Sequence, residues 1–374
     1  MKRINLLSCL AASALIALFA CGGIDEDPSI IPAPDPDEPS PSTASIIFGS
    51  DVSWVTEMEH DGKKFKSTQT KEADLFDILK DIGNKVIRLR AFVDPTGGWC
   101  GTDDVVAKAK RAKDAGLSVM IDLHYSDFFA DPGKQDTPAA WVGKSHTELV
   151  EAVKDYTKTL LNKIKAEGIT PEYIQIGNET RNGMLWPDGK ILWADSDDKT
   201  EENASWVRYA ELSNAGYNAA KQVFTNAKII IHLNHAFENN LWWYQKFSGM
   251  GGKYDVIGLS HYPQTDSEDK TWETLNSLAA TNIYSIARST NKEVFVVETG
   301  ILSSSFAIGA TVMKDFINRI KTDKMCLGLL YWEPEVYGGW KPAIYNTLGW
   351  GPYNMGAFTS TGVPSDVIKL FSSK

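Results

Sequence analysis

Two glutamates in this sequence stand at the ends of short apolar segments. Glu179 lies three residues beyond the apolar segment 173–176, and Glu298 directly follows the apolar segment 294–297. Segments of this length that run into glycine-containing turns are typical of buried strands. A carboxylate at the end of a buried strand suits a cleft better than a core, because an unpaired charge is costly to bury. We therefore interpret Glu179 and Glu298 as a candidate catalytic pair.

Two carboxyl groups in one cleft can take different roles if their surroundings separate their pKa values. We predict that Glu298 stays ionised as a nucleophile, stabilised by Arg90 if that side chain reaches it. His261 or Tyr262 could hydrogen-bond the same carboxylate. Glu179 would then act first as an acid and later as a base. This division predicts retaining glycoside hydrolysis, in which the carboxyl groups lie ~5–5.5 Å apart.

The elements that must position these glutamates alternate between strands and helices. Continuous apolar strands separated by helices indicate a parallel sheet covered by helices. Eight such units predict one (β/α)8 TIM barrel over residues 46–374, and the alternative is an open doubly wound sheet. No Gly-x-Gly-x-x-Gly follows the first strand, which disfavours that alternative. The predicted strands are 46–48, 86–89, 117–123, 173–176, 228–233, 254–259, 294–297 and 326–331.

Polar and aromatic residues gather at the carboxyl ends of the predicted strands, where barrel enzymes place their reactive groups. A metal site is one alternative, but the sequence has no His-Glu-x-x-His, and the many aromatic residues fit sugar faces better. We therefore expect no metal and no cofactor, and we interpret Glu333 and Glu335 as acids of the cleft rim or of the solvated surface. The predicted substrate-binding residues are Asp51, Arg90, His124, Tyr125, Asn178, His232, His261, Tyr262, Trp332 and Trp340.

Several stretches resemble glycoside hydrolase family 53, the endo-β-1,4-galactanases, across essentially all of residues 46–374. They are Gly49-Ser50-Asp51-Val52-Ser53-Trp54, Arg88-Leu89-Arg90, Asp122-Leu123-His124-Tyr125-Ser126-Asp127, Asp131-Pro132-Gly133-Lys134-Gln135, Gln175-Ile176-Gly177-Asn178-Glu179 and Val297-Glu298-Thr299-Gly300. The resemblance implies that Glu179 is the acid/base, that Glu298 is the nucleophile and that Asn178 binds the sugar hydroxyl next to the reacting carbon. It implies hydrolysis of β-1,4-galactan and of arabinogalactan of the same linkage.

The sequence departs from the family pattern in three places. Residues 91–95 replace a more aromatic segment, and Phe128-Phe129 stand where tryptophan is common. Some bacterial relatives hold calcium in a long acidic loop after the seventh strand. The corresponding segment here, residues 301–310, is short and contains no acidic residue. Calcium is therefore not expected on this basis.

Two other functions remain open at the level of sequence. One is a related barrel glycosidase that acts on another β-1,4-glycan, such as mannan or glucan. The other is a surface glycan-binding lipoprotein that captures polysaccharide without cutting it, although a pure binder has no need of both glutamates.

The amino terminus has the pattern of an exported lipoprotein. Lys2 and Arg3 precede an apolar run that ends at Ala20-Cys21, which predicts a signal peptide over residues 1–20 and lipid attachment at Cys21. An ordinary signal peptide is the alternative. Residues 21–45 are rich in Pro, Ser, Asp and Glu, a composition that predicts an extended tether. We expect a lipid-anchored protein at the outer membrane or cell surface.

Charge and cysteine content limit the remaining possibilities. The formal net charge of −10 disfavours a nucleic-acid partner. Nothing in the sequence indicates an association surface, and we expect a monomer. If Cys21 carries lipid, one disulfide is possible between Cys100 and Cys326, and the sequence leaves that pairing open.

Overall fold

The structure is a computed structural model that describes residues 46–194 and 198–372. The predicted signal peptide, the lipidation site Cys21 and the tether 21–45 lie outside the described residues. Within the described ranges, no helix has the length and apolar character needed to cross a membrane.

Eight parallel strands form a closed barrel in chain order, and the first strand, Ile47–Asp51, closes the barrel by pairing with the last, Cys326–Trp332. A separate two-stranded antiparallel hairpin, which the sequence analysis did not predict, follows the first helix. The predicted TIM barrel is confirmed, and all eight predicted strands are present: 173–176 and 228–233 have the predicted bounds, and the ends of the other six shift by at most three residues. The strands are β1 Ile47–Asp51, β2 Lys66–Thr68, β3 Lys71–Glu72, β4 Val86–Ala91, β5 Ser118–Leu123, β6 Tyr173–Ile176, β7 Lys228–Leu233, β8 Val256–His261, β9 Glu293–Thr299 and β10 Cys326–Trp332.

Helices cover the outside of the barrel. The helix that begins at His146 starts with a capping box: the Ser145 hydroxyl accepts from the Glu148 amide, and the Glu148 carboxylate accepts from the Ser145 amide. Cys100 and Cys326 are both buried and free, so they form no disulfide. The helices are α1 Val55–His60, α2 Leu75–Ile82, α3 Thr102–Asp114, α4 His146–Ala166, α5 Thr200–Val223, α6 Leu241–Gly249, α7 Trp272–Thr290, α8 Phe306–Ile320 and α9 Ala343–Leu348.

The interior of the barrel is built in two layers, apolar below and polar above. Side chains two positions apart on a strand face the same side. The residue two positions after a residue of the apolar layer on the same strand therefore also points inward. These are Arg88, Asp122, Gln175 and His232, all fully buried. The apolar layer consists of Val86, Met120, Tyr173, Ile230, Val256, Phe295, Val297 and Leu330.

Candidate active site

Glu179 and Glu298 face each other across the carboxyl end of the barrel, as the sequence predicted. One carboxylate oxygen of Glu179 lies within 4.8 Å of a carboxylate oxygen of Glu298. Ser260 lies between them: its hydroxyl is 2.7 Å from Glu179 Oε1 and 3.4 Å from Glu298 Oε2. This spacing is close to that of the carboxyl pair in retaining glycosidases and too short to admit a water between them as inverting enzymes require.

A bulge in β9 aims Glu298 into the barrel. Val297 belongs to the inner apolar layer, so strict alternation would turn the next side chain outward. The pairing with β8 steps from Leu259↔Val296 to Ser260↔Glu298, which leaves one extra residue in β9. Bulges of this kind re-aim side chains and are common beside active sites. Here the bulge sets Glu298 level with Ser260.

Glu179 is presented by a strained turn directly after β6. Its backbone is left-handed, with φ 47° and ψ 51°, a conformation that costs a residue other than glycine roughly 1–3 kcal/mol. Gly177 also has a positive φ, and a Cβ there would lie 2.5 Å from the Thr180 side chain. The Thr180 hydroxyl, 2.7 Å from the Tyr209 hydroxyl, fixes the other side of the turn. The glutamate is therefore held rather than mobile.

Arg88, and not Arg90, is the arginine that contacts Glu298. Arg88 Nη1 lies 2.9 Å from Glu298 Oε1 and 2.8 Å from Asp51 Oδ2, and Nη2 lies 2.8 Å from Asp122 Oδ2. The prediction for Arg90 is wrong, because its guanidinium pairs instead with Glu333 at 2.5 Å. Both arginines point inward, but Arg88 occupies the level of the catalytic carboxylates.

The surroundings of the two glutamates separate their protonation. Burial, together with the negative charge of Glu298, raises the pKa of Glu179 to about 8. Burial also raises the pKa of Glu298, but the Arg88 guanidinium and a hydrogen bond from Tyr262 act against that rise. Near neutral pH the proton of the pair therefore resides on Glu179, and Glu298 is the ionised partner. The predicted contact of Tyr262 is confirmed, at 3.0 Å.

His232 lies beneath the carboxylates and positions them. Its Nε2 is 2.7 Å from Ser260 Oγ, and its Nδ1 is 3.0 Å from Asn178 Oδ1. Burial and the positive charge of Arg88 lower the pKa of His232 well below its usual range, so the ring is neutral. It is fully buried, and we assign it to positioning rather than to the predicted substrate contact.

His232, Glu179 and Glu298 offer three possible metal ligands within 4.8 Å of one another. However, both ring nitrogens of His232 already have neutral partners. The Arg88 guanidinium, 2.9 Å from Glu298, would repel a cation at this position. The donor set therefore fits proton transfer better than metal binding.

Asn178, His124 and Asp51 have different degrees of access to the site. Asn178 and His124 line the cavity above the glutamates. Asn178 Oδ1 accepts from Arg88 at 2.9 Å, and His124 Nε2 lies 2.8 Å from Asp122 Oδ2. Asp51 is fully buried and holds Arg88 and the Ser53 hydroxyl, so the structure places it as a support and not as a substrate contact.

The cavity in front of the glutamates measures about 350 Å³ and has a largely aromatic wall. Trp332 lines it as predicted, and its ring packs edge-on against Tyr353 with centroids 4.6 Å apart. The wall offers apolar faces to pyranose C–H groups beside polar groups for the hydroxyls. Its other residues include Phe129, Tyr345 and Trp350.

Two predicted substrate residues, Tyr125 and His261, point away from the site. Tyr125 is buried with its hydroxyl 2.8 Å from Thr157 of α4. His261 is buried with Nε2 2.8 Å from Asn276 of α7. Both predictions are wrong. His261 follows the inward-facing Ser260 on β8, so alternation sends its side chain to the helices. Tyr125 lies two residues beyond β5, where its left-handed backbone, with φ 50°, accompanies a side chain that packs against α4.

Three further predictions at the last strand are corrected by burial. Trp340 is buried, does not line the catalytic cavity and donates its Nε1 proton to Asp61 at 2.9 Å, so it is not placed to stack on substrate. Glu333 and Glu335 are fully buried and are not rim acids. Burial raises the pKa of Glu333 to about 7 although Arg90 opposes the rise.

Four residues of the site were not predicted as such from the sequence: Arg88, Asp122, Gln175 and Ser260. Arg88 and Asp122 each follow an inward apolar residue by two, and that alternation was a usable signal. Gln175 Oε1 accepts from Arg88 Nη2 at 3.2 Å inside the barrel. Ser260 follows the inward-facing Val256 by four residues, so the same alternation places it inward, but its contact with Glu298 depends on the bulge in the neighbouring strand.

A family model and a named relative each match most of the chain. The family model described as glycosyl hydrolase family 53 matches residues 47–371. The arabinogalactan endo-β-1,4-galactanase of Thermothelomyces thermophilus is 33% identical over 311 residues, which cover 76% of this chain and 88% of that protein.

Two solved structures are similar over most of the chain. The catalytic domain of this family from Ignisphaera aggregans has a TM-score of 0.75 at 29% identity and covers 91% of this chain and 98% of its own. One of two fungal β-1,4-galactanases whose structures were solved together has a TM-score of 0.73 at 29% identity, and the match covers 87% of this chain and 98% of that chain.

Proposed function

The chain belongs to glycosyl hydrolase family 53, and from that premise we propose that it is an endo-β-1,4-galactanase that retains anomeric configuration. The observation that carries the proposal is the asymmetric carboxyl pair. Glu298 has an arginine partner at 2.9 Å, while burial raises the pKa of Glu179 to about 8. The galactanase activity of the relatives supports the substrate.

In the first step, a Glu298 oxygen attacks the anomeric carbon and Glu179 gives its proton to the departing glycosidic oxygen. The C–O bond to the leaving sugar breaks as the bond to Glu298 forms, so Glu298 becomes a neutral ester and the negative charge passes to Glu179, which has given up its proton. Arg88 and Tyr262 hold the attacking carboxylate in its ionised form.

In the second step, a water molecule attacks the anomeric carbon through its oxygen, and ionised Glu179 takes a proton from that water. The ester to Glu298 breaks and the carboxylate returns to Arg88. Two inversions give net retention. Ser260 contacts both carboxylates and is suited to keep their separation fixed through the cycle.

A polysaccharide substrate without charge is supported by the aromatic residues in the cavity wall, which are Phe129, Tyr262, Trp332, Tyr345, Trp350 and Tyr353. Trp332 and Trp350 offer ring faces, and Asn178 supplies an amide for the hydroxyl next to the reacting carbon. We propose pectic β-1,4-galactan side chains and type I arabinogalactan as the natural substrates.

The test is product analysis after incubation of the purified protein with β-1,4-galactan, mannan and cellulose. We expect a ladder of galacto-oligosaccharides at early times from galactan alone, with the β-anomer first in proton NMR spectra. Glu298→Gln is the matched inactive control. Binding of galactan without any product would instead identify a capture protein, and first appearance of the α-anomer would contradict the retaining mechanism.

We also propose that the mature protein is a monomer held at the outer membrane or cell surface by lipid on Cys21. The signal-like residues 1–20 and the tether composition of 21–45 support this. We expect the native protein to incorporate labelled fatty acid. The Cys21→Ser variant should not incorporate it and should leave the membrane fraction. Membrane association that persists in the Cys21→Ser variant would contradict it.

A further inference from the structure

Two tryptophans lie exposed on the protein surface beside the segment that carries Glu179. Trp193 is 47% exposed and Trp242 is 43% exposed, which is unusual for the most costly aromatic side chain to leave in water. Their ring centroids are 5.7 Å apart with the planes inclined at 70°. Together they form an aromatic corner, which we call the tryptophan corner.

The tryptophan corner is rigidly supported from below. Trp193 packs edge-on against the fully buried Trp206 of α5, with ring centroids 5.7 Å apart. Trp206 in turn packs against Trp243 of α6 at 5.2 Å. The Trp193 Nε1 proton is donated to Asn182 Oδ1 at 3.1 Å. The Trp193 ring is therefore held by two contacts from below, and Trp242 packs edge-on against it.

The same contacts tie the tryptophan corner to the active site. Asn182 lies three residues after Glu179, in the turn that sets the acid's conformation. Trp243, next to Trp242 in α6, donates its Nε1 proton to the Arg181 carbonyl of that turn at 2.9 Å. The corner is thus joined, through Arg181 and Asn182, to the turn that presents Glu179, the proposed proton donor to the leaving portion of the chain.

We propose that the tryptophan corner binds β-1,4-linked galactan outside the catalytic cavity, on the leaving-group side. The proposal rests on the proposed function. Aromatic faces bind pyranose rings through their axial C–H groups without requiring charge. In β-1,4-linked galactose the axial O4 turns successive residues relative to each other, so two inclined faces suit this chain better than a flat platform would.

The corner also fits a polymer better than a short product. A bound chain that extends beyond the cavity gains a second contact on a rigid support, and that contact adds to affinity without touching the bond that breaks. The consequence is a split between substrates: long galactan benefits, and a substrate confined to the cavity does not.

The test compares the full chain with Trp193→Ala/Trp242→Ala and with Trp193→Phe/Trp242→Phe. KM is measured on polymeric β-1,4-galactan and on an aryl β-1,4-galactobioside, which places only its aryl group on the leaving side. Retardation in galactan-containing native gels is measured for the same double substitutions in a Glu298→Gln background. Ile308→Ala, at a residue 55% exposed on α8, is the matched surface control.

We expect the double alanine variant to raise KM on the polymer about five- to tenfold and to lose a similar factor in gel retardation. Its kinetics on the aryl galactobioside should stay within about twofold of the native values, and the phenylalanine variant should recover most of the polymer affinity. Ile308→Ala should match the native protein in both assays.

Two outcomes would overturn the proposal. Unchanged retardation and KM on galactan in the double alanine variant would show that the corner faces something else, such as a protein partner. Equal losses on the polymer and the aryl galactobioside would show a structural role through Asn182 instead of binding. If native protein cuts no galactan but is retarded by it through the tryptophans, the proposed function fails and the corner remains a binding site.

Discussion

Arg88 and Arg90 lie two residues apart on β4, face the same side and are both buried, yet their surroundings differ sharply. Arg88 contacts three carboxylates, those of Asp51, Asp122 and Glu298, at 2.8–2.9 Å. Arg90 has one carboxylate partner, Glu333.

Aromatic rings separate the pair formed by Arg90 and Glu333 from the catalytic cavity. The Arg90 guanidinium lies between Trp54 and Phe129, 4.3 Å and 4.5 Å from their ring centroids. Its Nε and Nη2, and Glu333 Oε2, have no hydrogen-bond partner among the described residues. Glu298, by contrast, lines the catalytic cavity.

The difference shows that a buried arginine–carboxylate pair is not by itself a catalytic device. Glu298 has an open cavity in front of it and a second, proton-bearing carboxylate within 4.8 Å. Glu333 has an arginine and a raised pKa but lies behind aromatic rings, where no sugar can reach it. Access and pairing, more than charge, assign the chemistry.

The largest expected effect separates Glu298 from Glu333. Glu298→Gln should lower kcat on galactan by about 10⁴-fold or more, since it removes the nucleophile. Glu333→Gln should lower kcat by less than about tenfold, because its partner Arg90 lies outside the reacting centre. Reducing-sugar release measures both variants, and comparable losses would erase the distinction drawn here.

The next effect tests the proton donor. Glu179→Ala should cost about 10³-fold on galactan, within the range for loss of a general acid. An aryl galactobioside with a good leaving group needs no protonation, so formation of its enzyme intermediate should be far less affected. Pre-steady-state release of the aryl group reports that step. Equal losses on both substrates would contradict the role of Glu179.

A third comparison concerns stability, with methionine replacing each arginine. Arg88→Met leaves three buried carboxylates without their cation and should lower the free energy of unfolding by about 3–5 kcal/mol. Arg90→Met should cost less, because the pKa of Glu333 is about 7 and at pH 6 that group can be protonated instead of remaining charged. Urea unfolding at pH 6 measures both, and a larger loss for Arg90→Met would be the contrary result.

The smallest effect is the pH dependence. Glu179 must carry a proton in the first step, so kcat/KM should fall about tenfold per pH unit once pH exceeds its pKa of about 8. Glu333→Gln should leave this alkaline limb in place. Glu179→Ala, assayed on the aryl galactobioside, should remove it. An alkaline limb that persists without Glu179 would assign it to another group.

Local pattern carried much of the prediction. The apolar strands, their alternation with helices and the two glutamates at the ends of β6 and β9 were all predictable, because burial on both faces makes parallel strands continuous apolar runs. The failures cluster at the strand ends. Tyr125 and His261 were predicted to lie in the cleft because they are near the carboxyl ends of strands. That prediction did not consider whether each side chain faces the barrel interior or the helices.

The sequence by itself predicted the barrel and the pairing of Glu179 with Glu298 at its carboxyl end. Only the tertiary structure decided which arginine serves Glu298, because Arg88 and Arg90 share a face and differ only in height within the barrel. It also decided that Glu298 points inward, through a bulge visible only in the pairing of β8 with β9. Depth and register arise when strands are packed together, so no single segment of sequence contains them.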